Sequence, residues 1–338
     1  MRITRRAAVG LGVGIAAGTA LAAPPAGRPP LEATFLQLLP ADRRLGVKAW
    51  RGRIGEWQGL GVGTLYLQWL GLDGFDLLTS GSDGPGAVAL LEACAAAGVR
   101  FHLGLEHRPA EDAALLHASE RLATALAERR AASLMLAKKA LALARPEMLA
   151  GWYLPLELND VQLRDTALRT LLADHVAACA TALWQLTPAL PVTASTFPSR
   201  DVEAGLFAAM LDAVWPRDSR FVLLLQDGVG ASLRTPASIL PVAVAVARLA
   251  ERRQQNWGLI VELFTQVSGP PVSDGAFAAR PAPLERIRAQ LAVAECFPRA
   301  ERVAFAVPHY MAGSAGPAAA ALAAAYRDAL VPPGPSAP

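Results

Sequence analysis

The chain has 338 residues, of which 53% are hydrophobic and 18% are charged. Three of its 32 basic residues lie within the first 23 positions, and the 29 that remain balance 29 acidic residues. No basic surplus therefore indicates a nucleic-acid partner, and the length suffices for one large α/β barrel or two ordinary domains.

Residues 1–23 have the pattern of an export signal. An arginine-rich N-terminal segment precedes an apolar stretch that is rich in glycine and alanine. Ala20-Leu21-Ala22 follows and has the small-x-small pattern of a cleavage site. The adjacent Arg5-Arg6 pair resembles the twin-arginine type of signal. We expect a periplasmic or secreted protein with no membrane span in the mature chain, because the apolar run is shorter than the ~20 residues that a span needs. An uncleaved membrane anchor is the alternative.

The rest of the chain alternates short β-type runs with longer helical patterns. A Pro-rich linker at 24–32 comes first. The predicted strands are 34–38, 64–69, 100–106, 149–157, 191–197, 221–227, 257–264 and 302–308, and helical stretches include 86–97, 111–143, 161–186, 235–254 and 282–297. Eight strands alternating with helices predict one α/β domain, a single (β/α)8 TIM barrel over 33–330, with a disordered tail at 331–338. An open doubly wound sheet is the alternative.

Polar and aromatic side chains gather around the predicted strand ends, where TIM barrels place their active sites. So many polar groups in apolar runs would be unfavourable unless they lined a polar pocket. Aromatic faces with amide and carboxylate groups are typical of sugar binding, so we expect a polysaccharide or oligosaccharide substrate. The predicted binding residues are Gln37, Gln68, Trp69, Glu106, Tyr153, Gln226, Asp227, His309 and Tyr310.

Two glutamates are the predicted catalytic residues. Hydrolysis of a glycosidic bond needs two carboxyl groups, one to protonate the leaving oxygen and one to attack or to activate water. Glu157 ends the fourth predicted strand and Glu262 lies near the end of the seventh, and these two strands lie across a barrel from each other. By analogy with the large clan of retaining barrel glycosidases, Glu157 is the predicted acid/base and Glu262 the predicted nucleophile, with the carboxyl groups ~5–5.5 Å apart.

Three of the predicted binding residues have structural alternatives. Asp227 lies in QDGVG. It is interpreted either as a sugar ligand, as an alternative acid, or only as part of an Asp-Gly turn. Glu106 either orients the acid or pairs with Arg108 on a loop. His309 either binds the ligand or makes a structural hydrogen bond.

Other chemistries lack their sequence patterns. No GxSxG elbow of a serine hydrolase is present. The three cysteines are isolated, which favours buried thiols over disulfides, and no metal-site spacing accompanies them. We therefore predict neither a metal nor a cofactor. The sequence leaves the oligomeric state open.

Five segments in this order and spacing resemble the glycosyl-hydrolase-like (β/α)8 barrel family catalogued as domain of unknown function 4434. They are TFLQ, the segment from Trp57 to LYLQW, GWYLPLE, LLLQDGVG and VELF. The resemblance runs from Thr34 to Tyr310 and implies a barrel fold within the broad glycosidase superfamily. It also implies that Glu157 and Asp227 belong to the shared site segments.

These patterns lead to two hypotheses for the function. The first is an exported glycoside hydrolase that cleaves a polysaccharide by a two-carboxylate mechanism. The second is a non-catalytic polysaccharide-binding barrel that assists exopolysaccharide synthesis or secretion, because glutamines at strand ends suit binding as well as catalysis.

Overall fold

A computed structural model describes residues 28–79, 84–109 and 119–331. Its eight barrel strands are all parallel and form a closed barrel in the order β1-β8-β7-β6-β5-β4-β3-β2. Ala33 pairs with Val303 where β1 meets β8, so the fold is the predicted TIM barrel and not an open sheet. The strands are β1 (Ala33–Leu36), β2 (Thr64–Leu67), β3 (Arg100–Gly104), β4 (Leu149–Asn159), β5 (Val192–Phe197), β6 (Phe221–Gln226), β7 (Trp257–Glu262) and β8 (Glu301–Phe305).

Helices connect these strands and cover the outside of the barrel. Their ends follow from local chemistry: Ser119 caps the third helix by accepting from Leu122 N, and Thr235 caps the seventh just before Pro236. The helices are α1 (Val47–Gln58), α2 (Val88–Ala97), α3 (Glu120–Leu143), α4 (Asp160–Arg164), α5 (Thr166–Leu186), α6 (Ala204–Val214), α7 (Pro236–Arg253), α8 (Leu284–Glu295), α9 (Val307–Tyr310) and α10 (Pro317–Leu330).

Among the predicted elements whose bounds differ from the structure, one helix and one strand have a clear local cause. The helix predicted over 161–186 is broken at Asp165, because this residue is extended and its side chain accepts from Leu168 N as a cap. The strand predicted over 302–308 ends at Phe305. Pro308 lacks an N–H for the strand ladder but fits the first turn of α9.

The barrel interior is filled by a small cluster separate from the larger core between barrel and helices. Phe35 packs edge-on against Tyr153, with ring centroids 5.1 Å apart. The centre of the barrel is therefore a packed floor beneath the carboxyl ends of the strands. The cluster comprises Ala33, Phe35, Tyr66, Tyr153, Leu224, Ile260, Val303 and Ala306.

Buried polar groups close the opposite, amino-terminal end of the barrel. The Tyr66 hydroxyl donates to Glu301 Oε2 at 2.7 Å, and the Tyr66 ring stacks on His102 at 4.1 Å. Burial raises the pKa of Glu301 and lowers that of His102 to about 3. Both groups are therefore held towards their neutral forms, and the hydroxyl donates to a carboxyl that is half-buried.

Short strands extend the barrel rim beyond β7 and near β3. After β7, residues Phe264–Ser268 pair antiparallel with Ala278–Pro281 to form a hairpin over 264–281, here named the rim hairpin. A small three-stranded sheet joins Gly71–Leu72, Phe75–Asp76 and Glu106–His107. Both additions lie at the end of the barrel where the polar residues gather.

The predicted signal at 1–23 lies outside the described residues, as do 24–27 of the linker and 332–338 of the tail. In the part of the chain that is described, no helix combines the length and apolar character needed to cross a bilayer.

We expect Tyr66→Phe to destabilise the protein. The substitution removes the hydroxyl that bonds the half-buried carboxyl of Glu301, so the free energy of unfolding should fall by about 1–3 kcal/mol. Urea denaturation measures this change. The same substitution in a Glu301→Ala background, which lacks the acceptor, should have a smaller effect, and equal effects in the two backgrounds would contradict a stabilising role for this bond.

Candidate active site

A cleft with two adjoining compartments occupies the carboxyl end of the barrel. The polar compartment has a volume of about 340 Å³ and includes Trp69, Asn159 and Gln162 in its wall. The aromatic compartment, about 320 Å³, is lined by phenyl rings together with Glu262. Four residues line both compartments: Gln37, Gln68, Glu157 and Phe197.

The structure brings together eight of the eleven predicted site residues as lining of this cleft. Their side chains come from six barrel strands or from the segments that follow them, and so from most of the barrel circumference. The eight are Gln37, Gln68, Trp69, Tyr153, Glu157, Gln226, Glu262 and Tyr310.

The polar compartment holds hydrogen-bonding groups that can serve a ligand. Gln68 and Trp69 are each 9% exposed, and no group of the described protein bonds Gln68 Oε1 or Trp69 Nε1. The Trp69 ring stacks on His107 with centroids 5.0 Å apart, which fixes its orientation. Because buried polar atoms are normally bonded, these two atoms mark the part of the compartment wall where the described protein leaves hydrogen-bonding capacity unused.

An irregularity in β4 sets the position of Glu157. Leu154 pairs with Ala194 but Glu157 pairs with Ser195, so β4 carries two more residues here than its neighbour β5. Such bulges often re-aim side chains beside active sites. Glu157 is exposed where the two compartments meet, and its Oε1 accepts from Gln226 Nε2 at 3.0 Å.

The QDGVG loop after β6 holds the carboxyl of Glu262. Ala231 N donates to Glu262 Oε2 at 2.9 Å, and Gly230 N also donates to this side chain. A Cβ on Gly230 would lie 2.5 Å from the Phe264 carbonyl oxygen and 2.9 Å from Glu262 Oε2. Glycine is therefore required at 230 for the loop backbone to approach the carboxyl this closely.

Burial controls the protonation of Glu262. The side chain is 4% exposed, and desolvation, reinforced by the negative charge of Asp227, raises its pKa to about 8. The two backbone N–H donors and the more distant Arg286 act in the opposite direction but do not offset burial. Burial therefore shifts Glu262 towards its protonated form.

Asp227 lies behind Glu262 and lines neither compartment. Its carboxylate accepts from Gln290 Nε2 at 2.5 Å and from Val229 N at 3.0 Å, the latter completing the turn that the Asp-Gly pair indicates. Gln290 Nε2 also donates to the Glu262 carbonyl, so one amide joins both acidic residues. Burial raises the pKa of Asp227 to about 6.

Glu106 and His309 also lie apart from the lining of the cleft. Glu106 lines a separate cavity of about 450 Å³ beside α3, where it accepts from Gly74 N at 2.8 Å and pairs with Arg108 at 3.3 Å. His309 Nε2 accepts from Gln37 N at 3.3 Å and so supports a lining residue from outside. Over residues 28–79, 84–109 and 119–331, no three His, Cys, Asp or Glu side chains are grouped to hold a metal ion.

Several lining residues were absent from the predicted set. Asn159 and Gln162 bond each other's backbone N–H as a capping box at the start of α4, and the Asn-x-x-Gln spacing was a signal for this motif. Phe277 and Phe305 reach the aromatic compartment from the rim hairpin and from β8. Nothing in the local pattern around Phe277 distinguishes it from an ordinary loop residue.

We expect Glu262→Gln to stabilise the protein in a pH-dependent manner. An acid whose pKa is raised by folding loses stability as pH rises from its unfolded pKa towards its folded pKa, here about 8. The variant should match the wild type near pH ~5 and exceed it by about 2 kcal/mol near pH ~8. Urea denaturation at both pH values measures this, with exposed Glu285→Gln as the control for loss of a charge. An identical difference at both pH values would contradict a raised pKa.

We expect Asp227→Asn to lower the pKa of Glu262. The substitution removes the negative charge that acts with burial to raise that pKa, and a shift of about one unit is the expected size. Carboxyl chemical shifts of ¹³C-labelled glutamate, followed against pH, report it directly. Exposed Asp274→Asn on the rim hairpin is the control, and an unchanged Glu262 titration in Asp227→Asn would refute the coupling.

Two solved structures with similar folds carry the names of carbohydrate-active enzymes in their descriptions. A Bacteroides thetaiotaomicron VPI-5482 protein described as a "putative alpha-L-fucosidase" superposes with a TM-score of 0.70 at 14% identity, over 95% of this chain and 98% of that chain. A GH18 chitinase from Pseudoalteromonas aurantia gives a TM-score of 0.53 at 11% identity, over 81% and 93%. At these identities the likeness is one of fold.

The sequence itself has a match to a protein family. This match is to a family as a whole, since a comparison with individual curated proteins found no match. Residues 31–321 match the family described as "Domain of unknown function (DUF4434)". The barrel closed by eight parallel strands agrees with the glycosyl-hydrolase-like fold expected from the resemblance. The chain belongs to the DUF4434 family and has a TIM-barrel fold.

Proposed function

We propose that the protein is an exported glycoside hydrolase in which Glu157 and Glu262 act together on a glycosidic bond. The observation that carries the proposal is that both carboxyl groups line the same compartment although they come from β4 and β7. Two strands, β5 and β6, separate them around the barrel wall. Export is supported by the leader pattern at 1–23.

The electrostatics of the cleft support different catalytic roles for the two glutamates. Glycoside hydrolysis needs one protonated and one ionised carboxyl group. Since burial raises the pKa of Glu262 and favours its protonated form, we assign Glu262 as the acid. Glu157 is then the group that attacks the sugar or activates water. This assignment reverses the roles that the strand positions alone favour.

The cleft walls support a carbohydrate as the substrate. Three glutamine side chains, those of Gln37, Gln68 and Gln226, offer both donors and acceptors to sugar hydroxyls. Aromatic rings opposite them suit the apolar faces of pyranose rings. The fold neighbours, an alpha-L-fucosidase by description and a chitinase, are consistent with this substrate class.

A second candidate is a barrel that binds polysaccharide during its synthesis or secretion without cleaving it. The observation that favours it is the tight enclosure of Glu262, which is 4% exposed and accepts from the backbone of the QDGVG loop. A carboxyl held in this way can serve a binding surface as well as a reaction. Turnover separates the two candidates.

The test is reducing-sugar release from a panel of polysaccharides by the wild type, Glu157→Gln and Glu262→Gln. Each substitution removes a group that must transfer a proton or attack, so we expect a loss of about 10²–10⁴-fold in kcat with binding retained. The wild-type rate should also fall as pH rises through about 8, where Glu262 loses its proton.

Glu106→Gln serves as the matched control, because Glu106 lies in the separate cavity beside α3. Its activity should stay near that of the wild type. Tight polysaccharide binding without turnover by the wild type would refute the hydrolase and favour the binding barrel.

A further inference from the structure

An exposed phenyl ring stands at the mouth of the aromatic compartment. Phe277 has 58% of its surface exposed although it also lines the compartment. It belongs to the rim hairpin, where Val267 and Val272 are exposed as well. An exposed ring that also lines a cavity is placed to contact a ligand, whereas exposed apolar residues that stand singly need no explanation.

Phe277 continues a run of aromatic rings that begins inside the cleft. Its ring packs edge-on against Phe264, with centroids 5.8 Å apart. Phe264 in turn contacts Phe305 at 6.1 Å and Tyr310 at 5.3 Å, and all four rings line the same compartment. Phe264 is buried, so the apolar wall rises from the interior to the solvent without interruption.

The rim hairpin is built to hold this ring in place. Gln266 is buried, and its Nε2 donates to the carbonyl groups of Ser268, Gly269 and Pro270 at 3.1, 2.8 and 3.0 Å. Gly269 has φ +90°, and a Cβ there would lie 2.9 Å from the Phe277 Cα. The turn therefore packs directly against the backbone of Phe277, which limits the movement of the ring.

We propose that Phe277 forms an outer sugar-binding subsite that holds one unit of an extended glycan beyond the units inside the cleft. The proposal rests on the proposed function for the class of ligand. A phenyl ring has no hydrogen-bonding group, so it binds a pyranose through the face that carries only C–H bonds. Chains of pyranoses with mainly equatorial hydroxyls present such a face at each unit. The ligand class is therefore a polymeric glycan of this type.

Affinity electrophoresis tests the subsite without requiring catalysis. The wild type, Phe277→Ala and Phe277→Tyr are run in native gels that contain laminarin, hydroxyethylcellulose or xylan. At least one polysaccharide should retard the wild type. Phe277→Ala should bind that polysaccharide about three- to tenfold more weakly, and Phe277→Tyr should bind it as the wild type does, because an aromatic face is retained.

Val272→Ala is the matched control, since Val272 is 44% exposed on the same hairpin but does not line the compartment. It should bind as the wild type does, and thermal unfolding should show that all variants are folded. Wild-type affinity in Phe277→Ala, an equal loss in Val272→Ala, or no retardation of the wild type in any gel would overturn the subsite. Retardation lost in Phe277→Ala, together with no sugar release by the wild type, would leave the subsite standing and refute only the hydrolase.

Discussion

The cleft depends on the burial of one carboxyl group, that of Glu262, at the end of β7. Taking this group out of water beside Asp227 favours its neutral form, and the backbone N–H groups of the QDGVG loop keep it in position. The loop can approach only because residue 230 has no side chain. One local requirement thus links the sequence of a loop after β6 to the protonation of a residue on β7.

The fold was predictable because strands buried on both faces are apolar throughout. All eight barrel strands lie where the apolar runs indicate, and their alternation with helices implies parallel order. The errors occur where one side chain overrides a pattern. Asp165 interrupts a helical run by capping the next helix, and Pro308 turns an apparent strand into the short α9. Such effects depend on single contacts, which periodicity does not report.

The candidate site was predictable to the extent that it follows strand ends. Gln37, Gln68 and Glu157 line the cleft because the carboxyl ends of parallel strands converge. Which of these side chains reach the cleft surface was not predictable. Asp227 follows β6 directly and yet lies behind the cleft wall, and Glu106 lines a neighbouring cavity. The contribution of Phe277 was equally hidden, because it depends on how a hairpin folds back over the barrel end.

The two ends of the rim hairpin lie side by side at the barrel wall, where Ala282 N donates to the carbonyl of Leu263 at 2.9 Å. The rim hairpin therefore leaves the barrel and returns to it at nearly the same point. Its length does not affect the distance between β7 and α8. Evolution can exchange such a segment for a longer, shorter or differently decorated one while the glutamates stay in register. Changes in the rim hairpin are thus mechanically separated from the two glutamates at the strand ends.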